Sequence, residues 1–276
     1  MAIKRLEVSN PAYTLANTQF LTVHSSHLGR RHDVSIYNVN AKGENVPIII
    51  LMHGVYGNHW VWTNLGGIDK VYEQVKAEQK INDFILVMPS DGGLHDGSAY
   101  LPTTNNGNYE QWIMDDVLSA VIKTVPSATV QSNLYLSGLS MGGYGALRLG
   151  LKYADKVAGI SAHSSITQLP EINLFTDIDL ATYQCENSEE ANILHWVKHW
   201  LAKNKETLPP LRFDCGKGDE LFQGNVDFNK ALSELNIEHQ FDIFEGGHAW
   251  EYWHEHVAKT FVFFDQQEKN KTLVSY

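Results

Sequence analysis

The chain has 276 residues, 43% of them apolar and 19% charged, with a formal net charge of −11. Those proportions are ordinary for a globular protein, and the acidic balance argues against a nucleic-acid or anionic-membrane surface, either of which needs a basic face. No run approaches the roughly 18 apolar residues needed to cross a bilayer, and "MAIKRLEVSNPAYTLANTQF" lacks the apolar segment of a signal peptide.

Taken in chain order, β-rich runs alternate with helical ones. "QFLTVHSS" and "RHDVSIYNV" are predicted strands of an N-terminal antiparallel hairpin joined by "HLGR". "VPIIILMHG" and "FILVMPSDGG" are continuous apolar runs, as expected of strands buried on both faces of a sheet. "SNLYLSGLS", "VAGISAHSS", "LRFDCGKGD" and "HQFDIFEGGH" follow. Helices are predicted at 66–80, 109–124, 142–153, 188–204, 225–236 and 249–264. This alternation implies an α/β fold: a mostly parallel sheet with helices on both faces. Ligands of such sheets sit outside the carboxyl ends of the strands. His53-Gly54, Ser90-Asp91, Ser140, His163, Asp219 and His248 are therefore expected on one edge.

The whole chain, 1–276, reads as one domain. Its rhythm breaks at about 164–210, too long for a plain loop. This segment is expected to be an insertion that shapes a pocket. Its helix carries an apolar stripe of Ile193, Trp196, Val197, Trp200 and Leu201, with Ser188 as N-cap and Glu189 and Glu190 in the first turn.

"SGLSMGGYG" places Ser140 where a strand becomes a helix. A serine hydroxyl is a poor nucleophile unless a base takes its proton and hydrogen-bond donors stabilise the oxyanion. A tight strand-to-helix turn exposes the hydroxyl, and its crowding demands small residues two before and two after, here Gly138 and Gly142. The partners follow in the order acid, then histidine. Asp219, in a Gly-Lys-Gly loop, is favoured over Asp214, which lies within the strand; Glu220 is the outside option. His248 follows a strand and two glycines, whereas His239 opens a strand and His254 and His256 lie in a helix. One oxyanion donor is the N–H of Met141. The other is expected from "ILMHGVYGNHW", at Val55, or at Tyr56 if the loop is offset by one. His53 reads as a structural hydrogen-bonding residue. Tyr56 and Trp250 are candidate pocket residues.

The spacing of His195 and His199 suits two metal ligands, but no third ligand is evident, and neither Walker nor dinucleotide glycine patterns occur. Cys185 and Cys215 provide no disulfide framework. The expected chemistry needs no metal or cofactor, and the expected location is cytoplasmic.

Together, "LMHGVYGNHWVW", "GLSMGGYGAL", "CGKGDELF" and "GGHAWEYW" resemble the putative-esterase family of α/β-hydrolases, which includes esterase D, tributyrin esterases and feruloyl esterases. The resemblance covers roughly residues 20 to 265. It implies an α/β-hydrolase fold, Ser140 as nucleophile, Asp219 as acid, His248 as base, and Val55 and Met141 as the oxyanion pair. It also implies a small-molecule ester as the partner and self-association into a homo-oligomer. The expected function is that of a serine carboxylesterase acting on short-chain or aryl esters. The alternatives are an acyltransferase with an alcohol or sugar acceptor, an S-formylglutathione hydrolase-like thioesterase, and a catalytically silent binding protein. "MHGVYGNHW" and "GGHAWEYW" depart from the formylglutathione branch and lie nearer the tributyrin and feruloyl esterases.

Overall fold

The computed structural model describes residues 3–92, 95–203 and 208–274. Nine strands form one sheet: β1 (Ile3–Val8), β2 (Thr18–Ser25), β3 (Arg31–Tyr37), β4 (Ile48–Met52), β5 (Ile85–Pro89), β6 (Leu134–Leu139), β7 (Val157–His163), β8 (Leu211–Gly216) and β9 (Gln240–Phe244). Their order is β1-β2-β3-β5-β4-β6-β7-β8-β9. The hairpin expected from the sequence is β2–β3; β3 joins β5 antiparallel, and every pair from β5 to β9 is parallel.

The continuous apolar runs lie mid-sheet because both of their faces are covered. In β4, Ile48, Ile50 and Met52 pack on one side and Ile49 and Leu51 on the other, the two-residue period of a strand. The first side is covered by α2, the helical run 109–124, and by α3 (Met141–Lys152), α4 (Ile193–Ala202) and α5 (Phe222–Glu234). The second is covered by α1 (Ile68–Gln79) and α6 (Trp250–Val274). Among the described residues, no helix is long and apolar enough to cross a membrane.

Several elements differ from the sequence reading. β1 was not foreseen; it is an edge strand whose Lys4, Arg5 and Glu7 are exposed, so no apolar alternation marks it. Within α2, Trp112–Val117 is π-helical between the α-turn Tyr109–Gln111 and the α-helix Leu118–Thr124. The helix expected at 188–204 starts later. Extended backbone at Asn192 separates a 3-10 turn, Ser188–Ala191, from α4. The caps are therefore Asn187 and Asn192, not Ser188; Asn192 accepts the His195 N–H at 3.2 Å. Residues 204–207 of that helix and of the insertion lie outside the described residues. Leu201, placed in the apolar stripe, is exposed. α6 continues past 264 because Asp265 and Glu268 bind Asn82 and Asn133, giving its polar end a place on the sheet.

Candidate active site

β6 is buried along its length and delivers Ser140 directly into α3. Ser140 has φ 54° and ψ −121°, a left-handed backbone that costs a non-glycine residue roughly 1–3 kcal/mol. The surrounding glycines exist because backbone fills the space a side chain would need. A Cβ on Gly138 would lie 2.3 Å from the Gly142 carbonyl oxygen, and one on Gly142 would lie 2.2 Å from that of Met52. The turn is held from outside as well: the Ser140 N–H donates to the His163 carbonyl at 3.0 Å.

Asp219 and His248 follow β8 and β9, two neighbouring parallel strands. Their loops are joined backbone to backbone, Lys217 N–H to the Phe244 carbonyl at 2.9 Å and Gly218 N–H to that of Gly246 at 2.8 Å. A further bond, Ser164 N–H to the Asp214 carbonyl at 2.8 Å, links the end of β7 to β8. Within this frame His248 Nδ1 lies 2.9 and 3.0 Å from the two Asp219 carboxylate oxygens, and Nε2 lies 3.0 Å from Ser140 Oγ. Burial pushes the Asp219 carboxyl up; the His248 imidazole and the Leu221 N–H more than reverse this and hold it below its ordinary value. Phe175 stacks on the imidazole at 4.5 Å between centroids, and Trp253 meets it edge-on at 5.0 Å.

The competing acid, Asp214, faces elsewhere. Its carboxylate receives Arg212 Nη2 at 2.7 Å and the Tyr252 hydroxyl at 2.9 Å, and lies 2.9 Å from His163 Nδ1. Burial pushes this carboxyl up as well, but His163 and Arg212 hold it far below the usual carboxylate range. Glu220 is exposed. His239 bonds Asn229 at the start of β9, and His254 donates to the Gly66 carbonyl from α6.

The loop after β4 is built around His53. Its Nδ1–H donates to the Gly54 carbonyl at 2.7 Å, and its Nε2 accepts the Asp91 N–H at 2.9 Å. That pattern requires a neutral ring, and burial lowers its pKa to about 4. The ring occupies the space a Cβ on Gly57 would need, 2.4 Å from Nδ1, which explains the second glycine of "HGVYG". The Gly54 carbonyl and the Val55 N–H belong to one trans peptide and point in opposite directions. Holding the carbonyl toward His53 therefore aims the Val55 N–H away from it. A Cβ on Gly54 would lie 3.2 Å from Ser140 Cβ, so this peptide approaches the serine closely. The Tyr56 N–H is already used by the Asp96 carbonyl at 2.9 Å.

Ser140 and His248 open into a cavity of about 300 Å³ whose walls include Tyr56, Val61, Leu65, Phe175, Trp250 and Trp253. The Tyr56 hydroxyl donates to the Phe175 carbonyl, joining the β4 loop to the segment between β7 and β8. That segment is anchored on α3 by a buried cluster. Arg148 bonds Glu110 at 2.8 Å and the Tyr100 carbonyl at 2.7 Å, while Lys152 bonds Glu110 and Glu190 at 2.9 and 2.7 Å. A cavity of about 470 Å³ between the same segment and α5 contains none of the site residues, so cavity size alone does not locate the chemistry.

The structure thus brings Ser140, Asp219 and His248 into one hydrogen-bonded line and sets Tyr56 and Trp250 in the cavity wall. Sequence reasoning missed Phe175, which lies in "NLFTD", a stretch with no period to mark it. Trp62 and Trp112 are buried and donate to the Met52 and Ser90 carbonyls at 3.2 and 2.8 Å. Among the described residues two groups could offer three metal-ligand atoms, Asp219 with Glu220 and His248, and His27 with Asp115 and Asp116. The first includes the carboxylate and imidazole just described; the second joins His27 of the β2–β3 turn to two carboxylates of α2.

The sequence matches a family model described as "Putative esterase" over residues 25–264. It is 26% identical over 239 residues to an acetyl esterase of Caldicellulosiruptor saccharolyticus, covering 82% of this chain and 85% of that protein. It is also 26% identical over 165 residues to an endo-1,4-beta-xylanase/feruloyl esterase of Xylanibacter ruminicola, covering 56% of this chain and 22% of that one. Among solved structures it is similar to a ferulic acid esterase, with TM-score 0.77 and 23% identity over 95% of this chain and 99% of that chain. It is similar too to the Staphylococcus aureus serine hydrolase FphF, with TM-score 0.76 and 21% identity over 90% and 98%. These likenesses identify the fold as that of the α/β-hydrolases.

Proposed function

This chain belongs to the putative-esterase family and is a carboxylic ester hydrolase, and from that premise we propose that it cleaves short-chain or aryl esters through a serine acyl-enzyme. The observation that carries the reading is the single imidazole between carboxylate and hydroxyl, 2.9 Å from Asp219 and 3.0 Å from Ser140. His248 Nε2 takes the Ser140 proton as Oγ attacks the ester carbonyl. Asp219 keeps the other ring proton on Nδ1 and stabilises the imidazolium that forms. The Val55 and Met141 N–H groups donate to the oxyanion, Val55 aimed by the His53–Gly54 bond and Met141 by its place at the start of α3. His248 then protonates the departing alcohol and activates water for deacylation.

The cavity supports this substrate class. Aromatic walls at Tyr56, Phe175, Trp250 and Trp253 suit an aryl group, and about 300 Å³ suits a short acyl chain. Relatives named acetyl esterase and feruloyl esterase agree with those two options. The insertion 164–210 shapes the pocket through Phe175. The test is hydrolysis of p-nitrophenyl esters from acetate to laurate beside Ser140→Ala. The variant is expected to lose turnover by roughly 10⁴-fold or more. Background rates alone in both proteins would overturn the reading.

A further inference from the structure

Behind the reaction cavity lies a second hollow, a groove of about 580 Å³ between α1 and α6. Two residues line both spaces, Leu65 and Trp250. The indole of Trp250 is braced edge-on by Trp62 at 5.8 Å and by Trp253 at 5.1 Å between centroids. It lies so close to the backbone of Gly66 that a Cβ there would meet its Cζ3 at 3.0 Å. A ring held on three sides in this way is a fixed wall. Beyond it the groove floor is apolar, built from Val71, Val75 and Ala258, while Glu78, Glu251 and Glu255 stand exposed at the rim. Such a channel accepts an uncharged alkyl chain and repels a carboxylate.

We propose that Trp250 is the specificity-determining partition of this enzyme. It ends the reaction cavity and limits the chain length of the ester, and its removal joins the cavity to the α1–α6 groove. This inference rests on the esterase reading above. The experiment compares wild type with Trp250→Ala on two series, p-nitrophenyl esters from acetate to laurate and alkyl acetates from methyl to octyl. In one series the variant's optimum is expected to move to longer chains. Each methylene newly buried in the groove adds about fourfold to kcat/KM relative to wild type. The series that responds shows whether the groove takes the acyl or the alcohol part.

Ala258→Trp added to Trp250→Ala refills the groove and is expected to return the optimum to short chains. Ala258→Trp alone leaves the wild-type profile unchanged. Should Trp250→Ala not fold, Trp250→Leu serves the same comparison. A folded variant that still turns over acetate, with an unchanged chain-length profile in both series, would overturn the proposal. A wild type inert on every ester instead overturns the esterase reading. The partition is then read without turnover, as a rise in melting temperature with dodecanol in Ser140→Ala/Trp250→Ala and none in Ser140→Ala; equal responses would refute it.

Discussion

Replacing Asp219 by asparagine separates the role of its charge from that of its position. The asparagine carbonyl can still accept the Leu221 N–H that Asp219 Oδ1 receives at 2.8 Å, so the loop keeps its shape. Its amide, however, donates toward His248 Nδ1 and drives the ring proton onto Nε2, 3.0 Å from Ser140 Oγ. A nitrogen that already carries a proton cannot accept the serine's. The expected loss in kcat is about 10³–10⁴-fold, or roughly 4–5.5 kcal/mol, with little change in stability. Asp214→Asn is the control, because that carboxylate faces Arg212, His163 and Tyr252 rather than His248. It should keep kcat within tenfold and lose about 3 kcal/mol of stability, the lower end of the usual range because the buried Arg212 keeps Asp242 at 3.0 Å. Turnover of p-nitrophenyl acetate and urea unfolding measure the two quantities. The assignment of the acid is wrong if Asp219→Asn stays within tenfold of wild type while Asp214→Asn loses activity.

Two further outcomes test the frame around the site. Arg148 and Glu110 are both buried, at 0% and 4% side-chain exposure, so Arg148→Met is expected to cost about 3 kcal/mol in urea unfolding. This lies at the lower end of the usual range because Lys152 and Tyr153 still hold Glu110, at 2.9 and 2.6 Å; Arg148→Met/Glu110→Gln should recover part of it, and a cost below 1 kcal/mol refutes the account. His53 is held neutral with its pKa lowered to about 4, against about 6.5 in the unfolded chain. Protons therefore bind the unfolded state first, so its stability contribution is complete above pH ~6.5 and falls as pH drops toward 4. Between pH 7 and 4 wild type should lose roughly 3 kcal/mol more than His53→Gln. The difference isolates His53 from Asp91, whose carboxyl burial pushes up to about 6 and whose contribution runs the opposite way. Parallel pH profiles would show that His53 is not kept neutral.

Much of this arrangement was legible in the sequence because physical demand narrows residue choice there. Strands buried on both faces must be apolar throughout, so β4, β5 and β6 announce themselves. A serine in a left-handed turn with backbone packed on either side leaves glycine at 138 and 142. Asp219 and His248 follow once strand ends are known, since only those ends reach the serine. Other features depend on contacts that leave no local period. β1 is a charged edge strand recognisable only by its pairing with β2. α4 begins where Asn192 turns extended, although the residues before it are acceptable helix formers. Phe175 reaches the imidazole from the segment between β7 and β8, and its partner Tyr56 lies 119 residues away.

The backbone bonds among the strand-end loops bear on inheritance. Ser140 to His163, Ser164 to Asp214, Lys217 to Phe244 and Gly218 to Gly246 are all amide-to-carbonyl links, made by atoms that every residue except proline supplies. Away from the tightly packed glycines of these loops, changes of side chain therefore leave the spacing of Ser140, Asp219 and His248 as it was. A lineage can redraw the walls at Tyr56, Phe175 and Trp250 to suit a new ester without first rebuilding the machinery that cleaves it. Proline is an exception: at 164, 217 or 218 it would remove a donor whatever the substrate. Gly218 is constrained further, since a Cβ there would lie 3.1 Å from the Gly246 carbonyl oxygen.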